Sequence, residues 1–334
     1  MTPEGTKAQD TKLPKPTIDG VTWRAPEKSD ASAIVVLQDA CCDVDRTSRI
    51  TDSEVLDRWT DPSLQTNIDA LVGIASDGRI VASIWSYMPG GAESEQRLFG
   101  DENQIHPAFR TNEMSDFVLE WWEARGRQRL AEDSISLPAR FYAHRFDHQE
   151  KDIAFLVSRG YEIVRYYHEL GRDLSQPIEE LDLSAELDVR PLLEYQAEGL
   201  VVHNQSFRDH WGSQPITHER WEHFFTDSLI PAASLVVLDG DEPVAYVLCE
   251  KYPQDFVDRG WSHGWVSGVG TVRSHRCMGI ATALIAQAMK VMVEDGMEYA
   301  LLGVDSENPT GAYGVYENLG FVELRRELAL TKTA

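Results

Sequence analysis

Gly264–Val272 read GWVSGVGTV, Arg273–Ala281 read RSHRCMGIA, and Tyr299–Phe321 read YALLGVDSENPTGAYGVYENLGF. The first run predicts a strand, and glycines inside a strand mark a bulge or a place where a backbone or ligand approaches closely. The second run is a tight loop leading into Thr282–Asp295, where Leu284, Ala288, Val291 and Met292 recur at helical spacing. That spacing predicts a helix with one buried face, and Gly296 is placed to cap its end. Strand, loop and helix start together form an anion site, because loop amides point at the ligand and the helix N-terminus carries partial positive charge. Gly279 lets the backbone approach a phosphate with no Cβ in the way. Ala281 is small for the same reason, and Arg273 and Arg276 can add charge-assisted bonds. Tyr299–Val304 predicts a second strand, and Thr310–Leu319 a helix closed by Gly320-Phe321.

Working outward, the chain repeats itself. Val21-Thr22-Trp23-Arg24 and Asp188-Val189-Arg190-Pro191 each predict a short opening strand followed by helical text. Each half then has two strands meeting at Asp-Gly: Leu71–Ser76 and Arg79–Tyr87 around Asp77-Gly78, and Leu235–Leu238 and Pro243–Glu250 around Asp239-Gly240. Asp-Gly between apolar runs is a hairpin signal. Arg110 and Arg276 stand at the same separation as Arg24 and Arg190, and FLVSRGY at Phe155–Tyr161 parallels VYENLGF at Val315–Phe321. An ordered series of such landmarks indicates tandem duplication. The expected organisation is a tail over residues 1–18, a first domain over 19–174, an acidic Pro-interrupted linker over 175–187 and a second domain over 188–334.

Composition sets the outer bounds. The 334 residues carry 55 Asp plus Glu against 31 Lys plus Arg, a net charge of −24, with 42% apolar and 9% aromatic content. That apolar content builds ordinary cores. The negative field and the lack of a basic stripe argue against a sequence-independent nucleic-acid binder, and the same field attracts a cationic amine. Cys41, Cys42, Cys249 and Cys277 form no CxxC pair, which fits reduced thiols in a cytoplasm and no metal. The first residues lack the apolar core of a signal peptide, and no apolar run approaches the roughly 18 residues of a spanning helix. A soluble cytoplasmic protein is expected.

The order strand, RxxGxA, helix, strand, NPxxAxxxYxxxGF resembles the GNAT superfamily of N-acetyltransferases, and the tandem layout resembles two-repeat enzymes of the mycothiol synthase type. The resemblance implies an α/β (α+β) architecture of two tandem domains. Each would be a mixed, mostly antiparallel twisted sheet flanked by helices, with its central parallel strands splayed apart. It also implies acetyl-CoA, or another short acyl-CoA, as co-substrate and a small-molecule amine as acceptor. Direct attack by the amine would transfer the acyl group with no covalent enzyme intermediate. Arg276, Cys277, Met278, Gly279, Ile280, Ala281 and Thr282 match the pyrophosphate loop and helix start, and Asn308 the later motif. Amides around Val269, Gly270 and Thr271 would hold the pantetheine arm and polarise the thioester carbonyl. Tyr316 matches the residue credited with protonating the leaving thiolate.

Cys277 and Met278 depart from the usual Gly and basic residue, although backbone donors survive the change. Cys277 beside a helix start is either a low-pKa thiol or a loop-packing residue. For the general base, His263 and Glu250 both stand at strand ends, each with a plain structural role as the alternative. His210 and Trp211 are acceptor-contact candidates, or a packed Trp and a turn. A non-catalytic acyl-CoA-binding module is the competing class, and within enzymes an aminoglycoside or other natural-product amine competes with a mycothiol-type acceptor. The first half is expected to be inactive: Glu113 stands where Gly279 does, and Leu156 where Tyr316 does. Trp121 and Trp122 in that half are read as core.

Overall fold

Both Asp-Gly hairpins are present in the computed structural model of the protein, which describes residues 12–88, 96–133, 137–208, 215–307 and 312–334. Gly78 at φ +86° and Gly240 at φ +59° supply the left-handed backbone those turns require. The described chain forms two compact units. One holds the residues up to Arg145 with Gln149–Ile163 and Leu330–Ala334; the other holds Phe146–His148 and Val164–Ala329.

The first unit runs β1 (Val21–Arg24), α1 (Ala31–Asp45), α2 (Asp52–Asp57), α3 (Thr66–Asp69), β2 (Ala70–Ala75), β3 (Ile80–Trp85), β4 (Arg97–Gly100), β5 (Gln104–Ile105), α4 (Asn112–Glu132), β6 (Ala139–Phe146), α5 (Glu150–Ser158) and the start of β7 (Glu162–Asp173). One sheet has the order β1-β2-β3-β5, and β4 lies parallel to β6. Trp121 and Trp122 on α4 are buried, as are Ile84 and Trp85 on β3.

The second unit runs β8 (Leu187–Pro191), α6 (Gln196–Ser206), α7 (His218–Glu222), β9 (Leu235–Asp239), β10 (Glu242–Glu250), α8 (Phe256–Arg259), β11 (His263–Thr271), α9 (Ile280–Glu294), β12 (Tyr299–Asp305), α10 (Ala312–Asn318) and β13 (Val322–Thr333). Its strands follow the order β13-β7-β12-β11-β10-β9-β8. β8 to β11 pair antiparallel in turn, β11 pairs parallel with β12, and β12 pairs antiparallel with β7. This is a mixed α/β fold with a mostly antiparallel sheet flanked by helices. Tyr167–Asp173 of β7 match Asp305–Tyr299 residue by residue. That ladder is why Val164–Asp173 cluster with the second unit although they precede the acidic stretch after Arg172.

α9 shows why the sequence folds this way locally. Its apolar stripe buries Leu284, Ala288 and Met292 completely, together with Ile285 and Met289. Each of the larger side chains among them contributes about 1.5–3 kcal/mol through removal from water. Gly296, at φ +77°, ends the helix just past Asp295.

Candidate active site

β11 and β12 part company midway. Their parallel register covers only His263–Val266 against Tyr299–Leu302, yet β11 continues to Thr271 and β12 to Asp305. The inner edges of both strands are therefore unpaired beyond Val266 and Leu302. Val272 N donates to Val244 O at 2.9 Å, and β10 and β11 pair in register Tyr246↔Gly270 and Val247↔Val269. Antiparallel ladders alternate, so the Gly270 amide turns toward β10. The amides of Val269 and Thr271 turn the other way, into the opening. The side-chain hydroxyl of Thr271 is buried without a hydrogen bond, as is that of Ser206 at the end of α6.

At the mouth of the opening lies the loop before α9. Gly279 is the N-cap residue at φ +75°, with no side-chain cap. The first-turn amides, Ile280, Ala281 and Thr282, have no intrahelical partner by helix geometry. A Cβ placed on Gly279 would have nothing within 4 Å, so the loop is open on that side. An uncapped helix start beside an open glycine and two orphaned hydroxyls fits an anionic, amide-bearing group such as acyl-CoA. Cys277 and Met278 are exposed, and Cys277 holds φ +62°, a left-handed conformation that its side chain disfavours. Arg276 turns inward: its Nε donates to Thr271 O at 3.2 Å and an Nη to Ser206 O at 3.3 Å. It ties the end of α6 to the end of β11.

Tyr316 sits in the middle of α10, 7% exposed, and burial pushes its phenol up to about 12. Phe321 N donates to Tyr316 O at 3.0 Å around Gly320 at φ +83°, the closing turn foreseen for the helix. Glu250 is buried at the end of β10, where Ser228 Oγ donates to its carboxylate at 3.2 Å. His263 is completely buried among Phe256, Trp261 and Trp265, with ring centroids 5.0, 5.2 and 6.3 Å away. Neither ring nitrogen makes a hydrogen bond of ordinary geometry. Burial, then the Arg259 charge, lowers its pKa to about 4. His210, Trp211 and Asn308 lie outside the described residues.

Sequence reading missed one pair. Tyr246 on β10 is fully buried, and its hydroxyl lies 2.8 Å from Nδ1 of His203 on α6. A Cβ on Gly268 would meet Tyr246 Oη at 2.8 Å, and one on Gly270 would meet the Tyr246 ring and Ser206 at the same distance. The alternate glycines of β11 are the space this tyrosine fills. They are the sequence signal that could have revealed it.

The first unit has the same frame with altered parts. α4 begins at a Thr111 N-cap whose side chain accepts from Met114 N, so a donor left open in α9 is taken here. Arg110 Nε donates to Ile105 O, as Arg276 does to Thr271 O, but its Nη groups grip the Asp45 carboxylate at 2.7 and 2.5 Å. Tyr161 N donates to Leu156 O as Phe321 N does to Tyr316 O, placing Leu156 in the tyrosine position.

Comparison with known proteins agrees with this geometry. Residues 200–321 match the model of the Acetyltransferase (GNAT) family. The splayed strands, α9 and Tyr316 thus lie within the stretch that resembles this family. N-alpha-acetyltransferase 30 of Schizosaccharomyces pombe is 34% identical over 97 residues, which are 29% of this chain and 61% of that protein. The match spans less than two thirds of that relative. A GCN5-related N-acetyltransferase from Sphaerobacter thermophilus superposes with a TM-score of 0.70 at 24% identity, over 96% of this chain and 97% of that one. A tandem GNAT protein from the clavulanic acid biosynthesis pathway gives 0.68 at 13% identity, over 94% and 98%. At these identities the two structures show a common fold. Among the described residues, no helix is long and apolar enough to cross a membrane.

Proposed function

We propose that the second unit transfers an acetyl or other short acyl group from acyl-CoA to a primary amine by direct attack, with Tyr316 as proton donor. The observation that carries this reading is the opening between β11 and β12, which runs up to the uncapped start of α9. The first-turn amides from Ile280 to Thr282, with Gly279, would hold the pyrophosphate, and Asn308 is the further contact the family motif supplies. Val269 and Thr271 offer the amides that face the opening; Gly270 serves by being small. The bound co-substrate supplies an acyl group activated as a thioester. Tyr316 holds its proton at Oη through the neutral range and gives it to the leaving sulfur. Glu250 is the better base candidate, because Ser228 uses only part of its acceptor capacity. His263, walled in by rings, serves the strand end. A non-catalytic binder would need the loop but not a buried phenol in this place.

A net charge of −24 favours a cationic small-molecule amine, mycothiol-type or natural-product, as acceptor. The match to an N-alpha-acetyltransferase over 97 residues supports a second reading, a peptide α-amine. A screen of aminoglycosides, polyamines, amino sugars and short peptides with acetyl-CoA, reading free thiol, separates the two. No thiol release with any of them would overturn the proposal.

A further inference from the structure

At the opening, one face of the sheet is covered and the other is not. Ala300, Leu302 and Val304 of β12 are buried in one core with Leu284, Ala288 and Met289 of α9. Gly303 alternates with them onto the opposite face, where it is exposed, and a Cβ placed on it would meet nothing within 4 Å. It is the first residue of β12 past the last rung with β11, Val266↔Leu302. A thioester held between the strands is therefore reached from the Gly303 side.

Two arginines stand on that side. Gly303 pairs with Glu169 of β7, and Leu301 with Trp265 of β11, so all four share one face. The Glu169 carboxylate accepts from two Nη groups of Arg259 at 2.7 and 3.1 Å, and from Nε and an Nη of Arg325 at 2.7 and 2.6 Å. Arg259 also lies over the rings of Trp261 and Trp265, 5.3 and 5.8 Å from their centroids. Trp265 and Glu169 belong to the strands on either side of β12, which places the Arg259 guanidinium over β12 beside the open glycine. One guanidinium fork neutralises a carboxylate, and the second leaves positive charge in excess. The surroundings register that excess. Arg259 and Arg325 both disfavour the His263 cation, and burial with Arg259 holds Arg325 below its ordinary pKa although Glu169 and, more weakly, Glu327 pull the other way. Both arginine side chains still reach solvent, 16% and 20% exposed. Fastening α8 to β7 needs one cation for one anion; a second cation at the approach to the opening calls for a further anion.

We propose that Arg259 and Arg325 bind a carboxylate of the acceptor, which is then an amine that also carries an acid: an amino acid or a short peptide with both ends free. This rests on the acyltransfer reading above and narrows its acceptor. The carboxylate lies over Gly303 against the guanidinium N–H edges, and the amine reaches the thioester in the opening. The long-range field of the −24 charge draws the amine in, while the arginine forks select the acid locally.

Amino acids and dipeptides, each compared with its C-terminal amide, give the test. The amide has the less basic amine, so basicity alone would favour it. The unmodified protein should use the acids about 10–10²-fold better in kcat/KM. Arg259→Gln should bring that ratio close to one through the acceptor KM, with the acetyl-CoA KM unchanged, and Arg259→Lys should restore part of it. A fastening role would alter folding or both KM values and leave the ratio alone. If Arg259→Gln fails to fold, Arg259→Gln combined with Glu169→Gln removes both charges and gives the same reading. Equal use of acids and amides by the unmodified protein overturns the proposal, as does a ratio that survives in the variants. A preference for succinyl-CoA over acetyl-CoA that is lost with Arg259 would give the arginines to the acyl group, and overturns it too. Saturation-transfer NMR of the same pairs with CoA present reads binding without turnover. If the protein releases no thiol with any amine, the acyltransfer reading falls and the NMR still decides the anion site: acid signals lost in Arg259→Gln support it, and acid signals no stronger than those of the amides overturn it.

Discussion

Arg110 and Arg276 make the same bond in the two units: each Nε donates to the carbonyl five residues earlier, Ile105 at 3.0 Å and Thr271 at 3.2 Å. Their remaining nitrogens differ. Arg276 reaches a neutral carbonyl of Ser206, whereas Arg110 closes on the Asp45 carboxylate. In both units the arginine ties helix to strand, and in the first its charge is neutralised.

Binding should therefore be one acetyl-CoA per chain by titration calorimetry. Gly279→Glu should abolish it, since a carboxylate would stand at the open face of the helix start. Gly279→Ala carries the same left-handed backbone penalty, about 1–2 kcal/mol, without the charge, and should weaken binding less. Glu113→Ala should leave binding unchanged. Two equivalent sites would mean that the Thr111 cap and the Asp45 pair do not silence the first unit.

Tyr316→Phe keeps the ring and removes the proton. The chemical step should slow by about 10²–10⁴-fold with little change in acetyl-CoA affinity. A phenol raised to about 12 stays protonated beyond pH 10, so no alkaline limb below that pH belongs to Tyr316. The leaving thiol, with a pKa of about 8.5 by analogy with cysteine, needs the donor less as pH rises, and the defect should shrink. Single-turnover acetylation from pH 6 to pH 10 checks this; equal rates throughout would exclude Tyr316.

Cys277 stands at φ +62°, in the left-handed region that favours glycine. Cys277→Gly should relieve that strain and stabilise the protein by about 1 kcal/mol, net of the greater freedom glycine gains in the unfolded chain. Cys277→Val, branched at Cβ, should do the reverse. Urea midpoints of the three proteins decide it, and a destabilising glycine would show that the thiol contributes packing there.

Much of this was legible beforehand. The Asp-Gly hairpins, the buried stripe of α9 and the closing turn after Tyr316 are local patterns, and local chemistry fixes them. The parting of β11 from β12 was known only through resemblance, because a strand's periodicity does not say where its partner leaves. Strand neighbours far apart in sequence were not legible at all: nothing in Val164–Asp173 announces pairing with Tyr299–Asp305. Arg276 looked like a phosphate ligand because its carbonyl partners, Thr271 and Ser206, are backbone atoms that no motif records. His203 and Tyr246 lie on separate elements, and only the glycines of β11 hinted that a large side chain crosses there.

Lys332, near the end of β13, belongs to the first unit, where its Nζ lies 2.8 and 2.9 Å from the two carboxylate oxygens of Glu123. Glu123 is buried on α4 and also meets Arg127 and the Tyr161 hydroxyl. Lys332→Met keeps the apolar stem but removes one cation from a desolvated carboxylate, and should cost about 1–3 kcal/mol. Lys332→Met combined with Glu123→Gln should recover part of that loss, because the charge that needs pairing is gone. Equal stability of the single variant and the unmodified protein would mean that Arg127 and the Tyr161 hydroxyl together satisfy Glu123.

His263 gives stability a pH dependence. Its folded pKa of about 4 lies below the ordinary histidine value near 6.5, because burial and Arg259 disfavour the cation. Above pH 6.5 neither the folded nor the unfolded chain holds this proton, and the group is neutral to the balance. As pH falls from 6.5 toward 4 the unfolded chain takes the proton while the folded one does not, so the folded state loses ground. Over that window the loss is about 3 kcal/mol from this one residue. His263→Phe should fit among the rings of Phe256, Trp261 and Trp265. The variant's denaturation midpoint should therefore decline less between pH 7 and pH 4.5 than that of the unmodified protein. Parallel decline in the two proteins would show that His263 is protonated in the folded state at mild acidity, and would return it to the candidates for the catalytic base.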